Sequence, residues 1–380
     1  MTAYKHFLVT NRLAEDGVIV DADRQFSKKD ELNFGEIEFS DQGNITELYP
    51  VEGDSVDYRD CLTKAKEELK GSARLFRELY EAVESSDKEI LLVIHGYYHT
   101  YKRLQKTASL IHRAHVMPEG SNIGHLLLFS WPAGDQLDEY EKDQTSAKCS
   151  GRHFGKFISE WASFLNEAFG DDDSDRAETF AAKMNMVVAS MGNQLLESFA
   201  SQYEYNPNFK EKLFKDVILT AADIDRDAFD ADRPLSGLLD IADQVLCHFN
   251  YADNLLLLSE TIGGNSPRLG KWGPTRVKEG LDNLTFLDVA ATVLKGFVDP
   301  ELVFSKDTPG YPIDHAYFTR LKRVAEDSQQ VFHHIDKADT TGRVKLGKDK
   351  YYLCIGRDCL KIKSDLDIAL ENFCVERSMG

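Results

Sequence analysis

The stretch VVASMGNQ, from Val187 to Gln194, joins an apolar run to a helical pattern. The residues MNMVVA indicate a buried strand, and NQLLESFASQY has helical periodicity. Ser190 falls at the junction, where backbone amides and the positive end of a helix dipole would face a developing negative charge. A serine at such a junction is either a helix cap or a nucleophile, and neighbouring segments must distinguish the two.

Apolar runs resembling MNMVVA recur along the chain and are separated by helical patterns. Runs without polar alternation are typical of parallel strands covered on both faces, so the sequence predicts a mostly parallel, doubly wound α/β sheet. KHFLVTNRL and FGEIEF predict further strands near the N-terminus, with the polar AEDGVIVDADRQFSKKDEL as a loop between them. The main predicted strands are EILLVIHGYY, HLLLFSWP, MNMVVAS, DVILTAAD, DQVLCHFNYAD and NLTFLDVA.

These patterns divide the chain into three parts. Residues 1–57 supply N-terminal strands and loops, 58–328 form the α/β core, and 329–380 form a small appendage of a hairpin, GRVKLG with KYYLCIG, and a helix, SDLDIALENF. Within the core, residues 291–312 are a candidate lid. A helix is expected from about Tyr58 to Ser86, and the acidic run at 171–178 is expected to be a solvated loop.

Composition excludes several classes of function. With 45 Lys and Arg against 64 Asp and Glu, the net charge of −19 opposes binding to nucleic acid. No apolar run approaches the length of a membrane span, and the opening MTAYKHFLVT lacks the features of a signal peptide, so we expect a cytoplasmic protein with reduced thiols. Cys354 and Cys359 lack the second pair that zinc requires, so we expect neither a metal nor a cofactor.

Polar residues follow several of the predicted strands. In an open α/β sheet reactive groups collect beyond the carboxyl ends of the strands. A nucleophilic serine needs a base, an acid that orients the base, and amide donors for the oxyanion. The chain order serine, acid, histidine is satisfied by Ser190, Asp253 and His315. His333 and His334 also follow the last core strand, but their context is helical.

Some of these residues have a second interpretation. Asp253 is equally suited to cap the following NLLLL helix, and Asp225 in AADIDRD is the substitute for the acid. The three aspartates of AADIDRD lack the pattern of a calcium loop and are expected to cap a helix and brace turns. His95, at the end of a buried strand, is expected to be a neutral structural residue.

Amide donors for the oxyanion are expected on two turns. The turn after the strand EILLVI contains Gly96 and Tyr97, and the amide of Tyr97 is the natural donor. The second donor is the amide of Met191, directly after the serine.

Taken in order, these motifs resemble a bacterial, esterase-like subfamily of α/β-hydrolases of uncharacterised function, whose nucleophile turn has the form HSMGN. The resemblance implies the α/β-hydrolase fold, with Ser190 as nucleophile, His315 as base, Asp253 as acid, and Gly96 and Tyr97 in the oxyanion loop. The motifs that carry it are VTNRL, IHGYYHT, FSWPAG, ASMGN, AADID, NYADNLLLLS with GGNSPRLG, and DHAYF.

Two residues depart from the family pattern at the turn. Ala189 replaces the histidine before the serine, and Val188 replaces a small residue that would fit more easily beneath a tight turn. Neither change removes a reacting group, so we expect a nucleophile that works but is slow or selective.

The sequence therefore predicts a serine hydrolase, esterase or lipase-like, that acts on a small-molecule or lipid-like acyl substrate. Two alternatives stay open. Val188 and the C-terminal appendage favour a binding or scaffold protein that has lost the chemistry, and the appendage is where a protein partner would bind. An acyltransferase would use the same three residues.

Overall fold

The computed structural model describes residues 5–16, 18–20, 24–27, 31–38, 44–49, 56–169, 174–203, 212–276, 281–298, 303, 312–336, 340–347 and 349–353. Thirteen strands occur in this part of the chain, and eleven of them form one sheet. They are β1 His6–Thr10, β2 Ala14–Glu15, β3 Val18–Ile19, β4 Asn33–Glu38, β5 Asn44–Tyr49, β6 Glu89–Ile94, β7 Ile123–Ser130, β8 Met184–Ala189, β9 Phe214–Thr220, β10 Ala242–Phe249, β11 Leu284–Asp288, β12 Arg343–Gly347 and β13 Lys350–Leu353.

The strand order of the large sheet is β12-β13-β11-β10-β9-β8-β6-β7-β1-β4-β5. In this spatial order, every pair of neighbours between β13 and β1 is parallel. Antiparallel pairing occurs at the two edges of the sheet, where β1 pairs with β4, β4 with β5, and β12 with β13. The predicted α/β fold with a mostly parallel sheet is confirmed. Strand β8, which leads to Ser190, lies in the middle of the sheet.

Helices cover both faces of the sheet. On one face α1, α3 and α5 pack around Phe76, Phe157 and Trp161, and on the other α2, α10 and α11 pack around Leu104, Phe318 and other apolar residues. Each such side chain contributes about 1.5–3 kcal/mol by leaving water. The helices are α1 Gly71–Ser86, α2 Tyr101–Ile111, α3 Tyr140–Phe169, α4 Ser174–Ala181, α5 Gly192–Tyr203, α6 Leu238–Ile241, α7 Asn254–Thr261, α8 Leu269–Trp272, α9 Ala290–Val298, α10 Tyr317–Arg320 and α11 Lys322–Phe332.

Three local predictions were wrong. Helix α1 begins at Gly71 rather than near Tyr58, because Gly71 has a left-handed φ of 45° and the preceding residues reach the core through turns, with the Tyr58 hydroxyl 2.7 Å from Ser72 Oγ. In the acidic run, α4 begins at Ser174 and buries its apolar end against the core. The segment predicted as an N-terminal loop contains the β2–β3 pair.

The C-terminal hairpin is part of the sheet, because β13 pairs with β11 in parallel. A boundary at residue 328 falls inside α11. The predicted C-terminal helix, Cys354 and Cys359 lie outside the described residues, as does most of the candidate lid at 291–312, of which α9 is described. No helix in the described ranges is both long and apolar enough to cross a membrane.

Candidate active site

Ser190 lies on a sharp turn between β8 and α5 and has a left-handed φ of 52°. That conformation costs a non-glycine residue about 1–2 kcal/mol, so neighbouring contacts must hold it. Its amide donates to the carbonyl of Thr220 at 2.9 Å, and its own carbonyl accepts from the amides of Asn193 at 3.0 Å and Asp223 at 3.2 Å. The Asn193 side chain donates to the same carbonyl at 2.9 Å. The surrounding structure therefore fixes the turn that presents the serine.

Two glycines allow the Ser190 turn to approach the turn after β6. A Cβ added to Gly192 would lie 2.6 Å from the carbonyl oxygen of His95, and one added to Gly96 would lie 2.7 Å from Ser190 Cβ. No side chain fits at either place without a shift of backbone or of the serine. The missing glycine at Val188 has no such role. Val188 pairs with β6 and β9 as an ordinary strand residue and is fully buried, so its side chain packs in the core that precedes the turn.

Asp253 and His315 form a buried pair. The Nδ1 atom of His315 lies 2.8 Å from Asp253 Oδ2 and 3.1 Å from Oδ1. Because an ionised carboxylate only accepts, Nδ1 carries the proton and donates it, which leaves Nε2 as the acceptor of the neutral ring. The Oδ1 atom of Asp253 also accepts from the amide of Leu256 at 2.9 Å and caps α7. One side chain therefore both caps α7 and holds the ring of His315.

Opposing effects act on the imidazole of His315. Burial favours the neutral ring, but the charge of Asp253 and its hydrogen bond favour the protonated ring, and together they raise the pKa of His315 above 6.5. The carboxylate thus fixes the orientation of the ring and increases its basicity, which are the two properties that a general base needs.

The segments that carry the pair are tied to each other. The Asn250 side chain donates to the carbonyl of Asp314 at 2.7 Å, and the Asn254 side chain donates to the Asp314 carboxylate at 2.7 Å. The Nζ atom of Lys271 donates to the carbonyl of Asp253 at 2.8 Å. These side-chain contacts join the loop after β10 to the turn before α10 and so hold Asp253 and His315 next to each other.

Ser190 and His315 line the same cavity, which contains about 820 Å³ of space, part of it open to solvent. Its wall is mostly apolar, and one side is formed by α2. An apolar wall favours a ligand with an apolar body. Its lining residues are Val93, His95, Gly96, His99, Arg103, Lys106, Thr107, Ile111, Val187, Ala189, Ser190, Thr220, Ala221, His315, Ala316, Phe318 and Thr319.

The residues predicted for the oxyanion loop lie on two adjoining turns. Gly96 lines the cavity, whereas the side chains of Tyr97 and Met191 are buried in the hydrophobic core. Tyr98 has a left-handed φ of 57°, and its amide donates to Asp143 at 2.9 Å, which fixes the turn after β6. The amide of Met191 makes no hydrogen bond within the described chain. This amide therefore has no acceptor among the described residues.

His95 has the structural role expected of it. Its ring stacks on Trp131 with centroids 4.9 Å apart, its Nδ1 lies 2.8 Å from the carbonyl of Gly96, and its Nε2 accepts from the Trp131 amide at 3.1 Å. Burial, together with the nearby His99 and Arg12, holds the pKa of His95 well below 6.5. The neutral ring joins the turn after β6 to the end of β7.

Sequence reasoning missed His99 and Arg12. His99 lines the cavity, its Nε2 lies 3.0 Å from the Thr107 hydroxyl, and burial lowers its pKa to about 4. Arg12 is buried and donates to the His99 carbonyl at 2.6 Å and to the Ser130 hydroxyl at 2.8 Å. Arg12 lies in the VTNRL motif, so the motif's arginine supports the loop beside the serine.

Asp225, the substitute for the acid, takes part in a different group of contacts. It accepts from Arg268 at 2.8 Å and from the Ser266 hydroxyl, while Asp253 is the aspartate beside His315. Asp223 accepts from the Tyr140 hydroxyl at 2.6 Å. The aspartates of AADIDRD brace turns, as predicted, but cap no helix by a side-chain contact in the described residues. Among all the residues that the structure describes, no cluster of His, Cys, Asp or Glu is suited to a metal ion.

A parallel sheet with a serine on a tight turn after a central strand, followed by a helix, defines the α/β-hydrolase class. The chain belongs to the family described as alpha/beta hydrolase of unknown function (DUF900), which matches residues 73–325. A search of curated proteins finds no match. The resemblance identified in the sequence is therefore correct at the level of the superfamily, and the matched segment contains Ser190, Asp253 and His315.

Proposed function

We propose that the protein is a serine hydrolase, esterase or lipase-like, that cleaves a carboxylic ester or related acyl compound through an acyl-enzyme on Ser190. The observation that carries the proposal is the cavity that Ser190 and His315 share, with Asp253 2.8 Å from Nδ1 of the histidine. A serine that merely capped α5 would need neither a buried histidine in the same cavity nor a carboxylate to orient it.

The reaction follows the order of these contacts. The Nε2 atom of His315 takes the proton of the Ser190 hydroxyl while Oγ attacks the acyl carbon. The amides of Met191 and Tyr97 donate to the resulting oxyanion. When the intermediate collapses, the leaving alcohol takes the proton from His315 and the acyl group remains on Ser190. Water, deprotonated by the same ring, then releases the acid and restores the serine.

The roles of the other residues follow from what they touch. Asp253 keeps the proton on Nδ1 and stabilises the imidazolium that forms during each transfer. Gly96 and Gly192 allow the two turns to approach, and His95 and Arg12 hold the loop that bears the proposed donor at Tyr97. These last two are positioning residues rather than reacting groups.

Labelling with an alkyl fluorophosphonate tests the proposal. Attack by Ser190 Oγ forms a P–O bond and expels fluoride while His315 takes the proton, so the label reports an activated serine. We expect stoichiometric labelling of the wild-type protein and none of Ser190→Ala. The matched control is Ser201→Ala, at an exposed serine of α5, the helix that follows Ser190, and this variant should label as the wild type does.

A folded wild-type protein that takes up no label would overturn the proposal and favour a binding protein on the same fold. If labelling occurs, hydrolysis of p-nitrophenyl esters of increasing chain length defines the acyl preference. Transfer of the acyl group to an added alcohol, in preference to water, would assign the protein to the acyltransferases.

A further inference from the structure

One face of α2 forms a wall of the cavity. Arg103, Lys106, Thr107 and Ile111 all line it, at spacings of three, four and eight residues that place them on one side of the helix. Thr107 contacts His99, and Ile111 adds an apolar group. The helix therefore presents two cations on the same face and one turn apart to the cavity that contains the serine.

Neither cation has an acidic partner in the described part of the chain. The guanidinium of Arg103 lies 3.6 Å from the centre of the Tyr98 ring and donates to the carbonyl and hydroxyl of Tyr98 at 3.2 and 2.8 Å. Two of its five N–H donors are enough for these bonds. Lys106 is exposed at the rim of the cavity, and no described carboxylate pairs with it.

These cations stand out because the protein is strongly acidic, with a net charge of −19. Several arginines elsewhere pair with carboxylates, as Arg268 does with Asp225 at 2.8 Å and Arg343 with Asp327 at 2.7 Å. A cation left without a carboxylate in such a protein keeps its charge available to an external anion. The net negative charge of the protein repels anions at long range. A preference for an anionic ligand would therefore come from the local attraction of Arg103 and Lys106 at the cavity.

The remainder of the cavity wall is apolar. Val93, Val187, Ala221 and Phe318 line it on the sides formed by the sheet and α10. A ligand that matches both parts has an apolar body near the serine and a negative charge near α2. A wholly apolar ester would leave the two cations without an anion, and a wholly polar one would leave the apolar wall uncovered.

We propose that the substrate is an anionic ester, an apolar acyl compound with a carboxylate or phosphate group that Arg103 and Lys106 bind. This inference rests on the proposed serine hydrolase function. The two cations are specificity-determining residues, and they position the ester carbonyl at Ser190 through the anion rather than by contact with the reacting atoms.

Three fluorophosphonates with the same alkyl chain test the inference, one ending in a methyl group, one in a carboxylate and one in a phosphate. The second-order rate of Ser190 labelling is measured for each at low ionic strength. We expect at least one anionic probe to react about fivefold or more faster than the methyl probe, and added salt to reduce the ratio. The anion with the higher rate distinguishes carboxylate-bearing from phosphate-bearing substrates.

Charge-removing variants assign the effect to α2. In Lys106→Gln and Arg103→Gln the ratio of anionic to methyl probe should fall about two- to threefold each, and in the double variant it should fall to one or below. The matched control is Lys102→Gln, at an exposed lysine of the same helix that does not line the cavity, and it should retain the wild-type ratio.

The outcomes separate the two proposals. Absence of labelling by every probe refutes the serine hydrolase and the anionic substrate together. Labelling of Ser190 with a ratio at or below one in the wild-type protein leaves the hydrolase standing and overturns the anionic substrate. A ratio above one that is unchanged in both single variants and in the double variant overturns the assignment to Arg103 and Lys106.

Discussion

Two histidines contact buried carboxylates at opposite ends of the strands, one at the carboxyl edge of the sheet and one at the amino edge. They differ in how many of their ring nitrogens bind a carboxylate. At the carboxyl edge, His315 binds Asp253 through Nδ1 and lines the cavity with Ser190. At the amino edge, His334 binds a carboxylate with each nitrogen, Asp216 at 2.8 Å from Nδ1 and Glu89 at 3.1 Å from Nε2.

A ring with a carboxylate on each nitrogen is held in the protonated state. The hydrogen bonds of Asp216 and Glu89 raise the pKa of His334 to about 9, so near neutral pH it is a cation that joins β6 and β9. In the proposed mechanism, Nε2 of His315 exchanges the proton, whereas both nitrogens of His334 bind carboxylates. Contact with an acid therefore does not by itself make a histidine a base, since a base also needs a nitrogen that faces a reactant.

Replacing the two histidines should separate these roles most strongly. His315→Gln should lower the rate of fluorophosphonate labelling about 1000-fold or more, because the serine loses its base. His334→Gln, at the far edge, should label within about threefold of the wild-type rate when measured well below its melting temperature. A similar loss of labelling in both variants would refute the division of roles.

Asp253→Asn should separate the two functions of that side chain. Asparagine caps a helix as well as aspartate does, so the stability should change by no more than about 1 kcal/mol. The labelling rate should fall about 100-fold or more, because an amide neither fixes the proton on Nδ1 nor stabilises the imidazolium. Thermal unfolding and labelling are measured on the same sample, and a variant that labels normally would rule out the acid role.

The pH dependence of labelling reports the pKa of His315. The base acts in its neutral form, so the rate should rise with pH and reach half its maximum above the ordinary histidine value of 6.5. In Asp253→Asn the residual rate should have its midpoint below that of the wild-type protein, since burial then acts without the carboxylate. Equal midpoints in the two proteins would show that Asp253 does not raise the pKa of His315.

His334 should contribute to stability only while it is protonated in the folded protein. Its folded pKa of about 9 exceeds the reference value of 6.5, so the contribution is complete below the reference value and is lost as the pH rises through 9. With allowance for screening at a side chain that is 32% exposed, His334→Gln should cost about 1–2 kcal/mol near pH 6. Chemical unfolding near pH 10 should show a much smaller difference.

Much of the fold and of the candidate site could be predicted because the signals are local or follow chain order. The unbroken apolar runs of β6 to β11 define buried parallel strands, and the arrangement of Ser190 with Gly192 marks the turn. Asp253 and His315 were found by their order after particular strands, which is a property of the topology. The distance of 2.8 Å between Asp253 Oδ2 and His315 Nδ1 agrees with that reasoning, while the catalytic role of the two residues stays a prediction.

Residues that sequence reasoning missed have positions set by which face of a helix packs against the sheet, and the sequence does not reveal that face. Arg103 and Lys106 appear in the sequence as ordinary charges of an amphipathic helix, and the cavity on their side exists only after α2 and α10 have packed. Contacts of His334 with Glu89 join residues far apart in the chain. The start of α1 was mispredicted because turns also carry apolar side chains to a core, so apolar spacing did not distinguish them from a helix.

The two margins of the sheet have a practical consequence. Five of its eleven strands, β1, β4, β5, β12 and β13, lie outside the family match at residues 73–325. A chain trimmed to the matched segment would leave β7 and β11 with unpaired backbone groups along their edges, which are templates for intermolecular strand addition. For recombinant work the unit that keeps β7 and β11 paired therefore extends from β1 through β13, although the three proposed reacting residues lie well within a shorter piece.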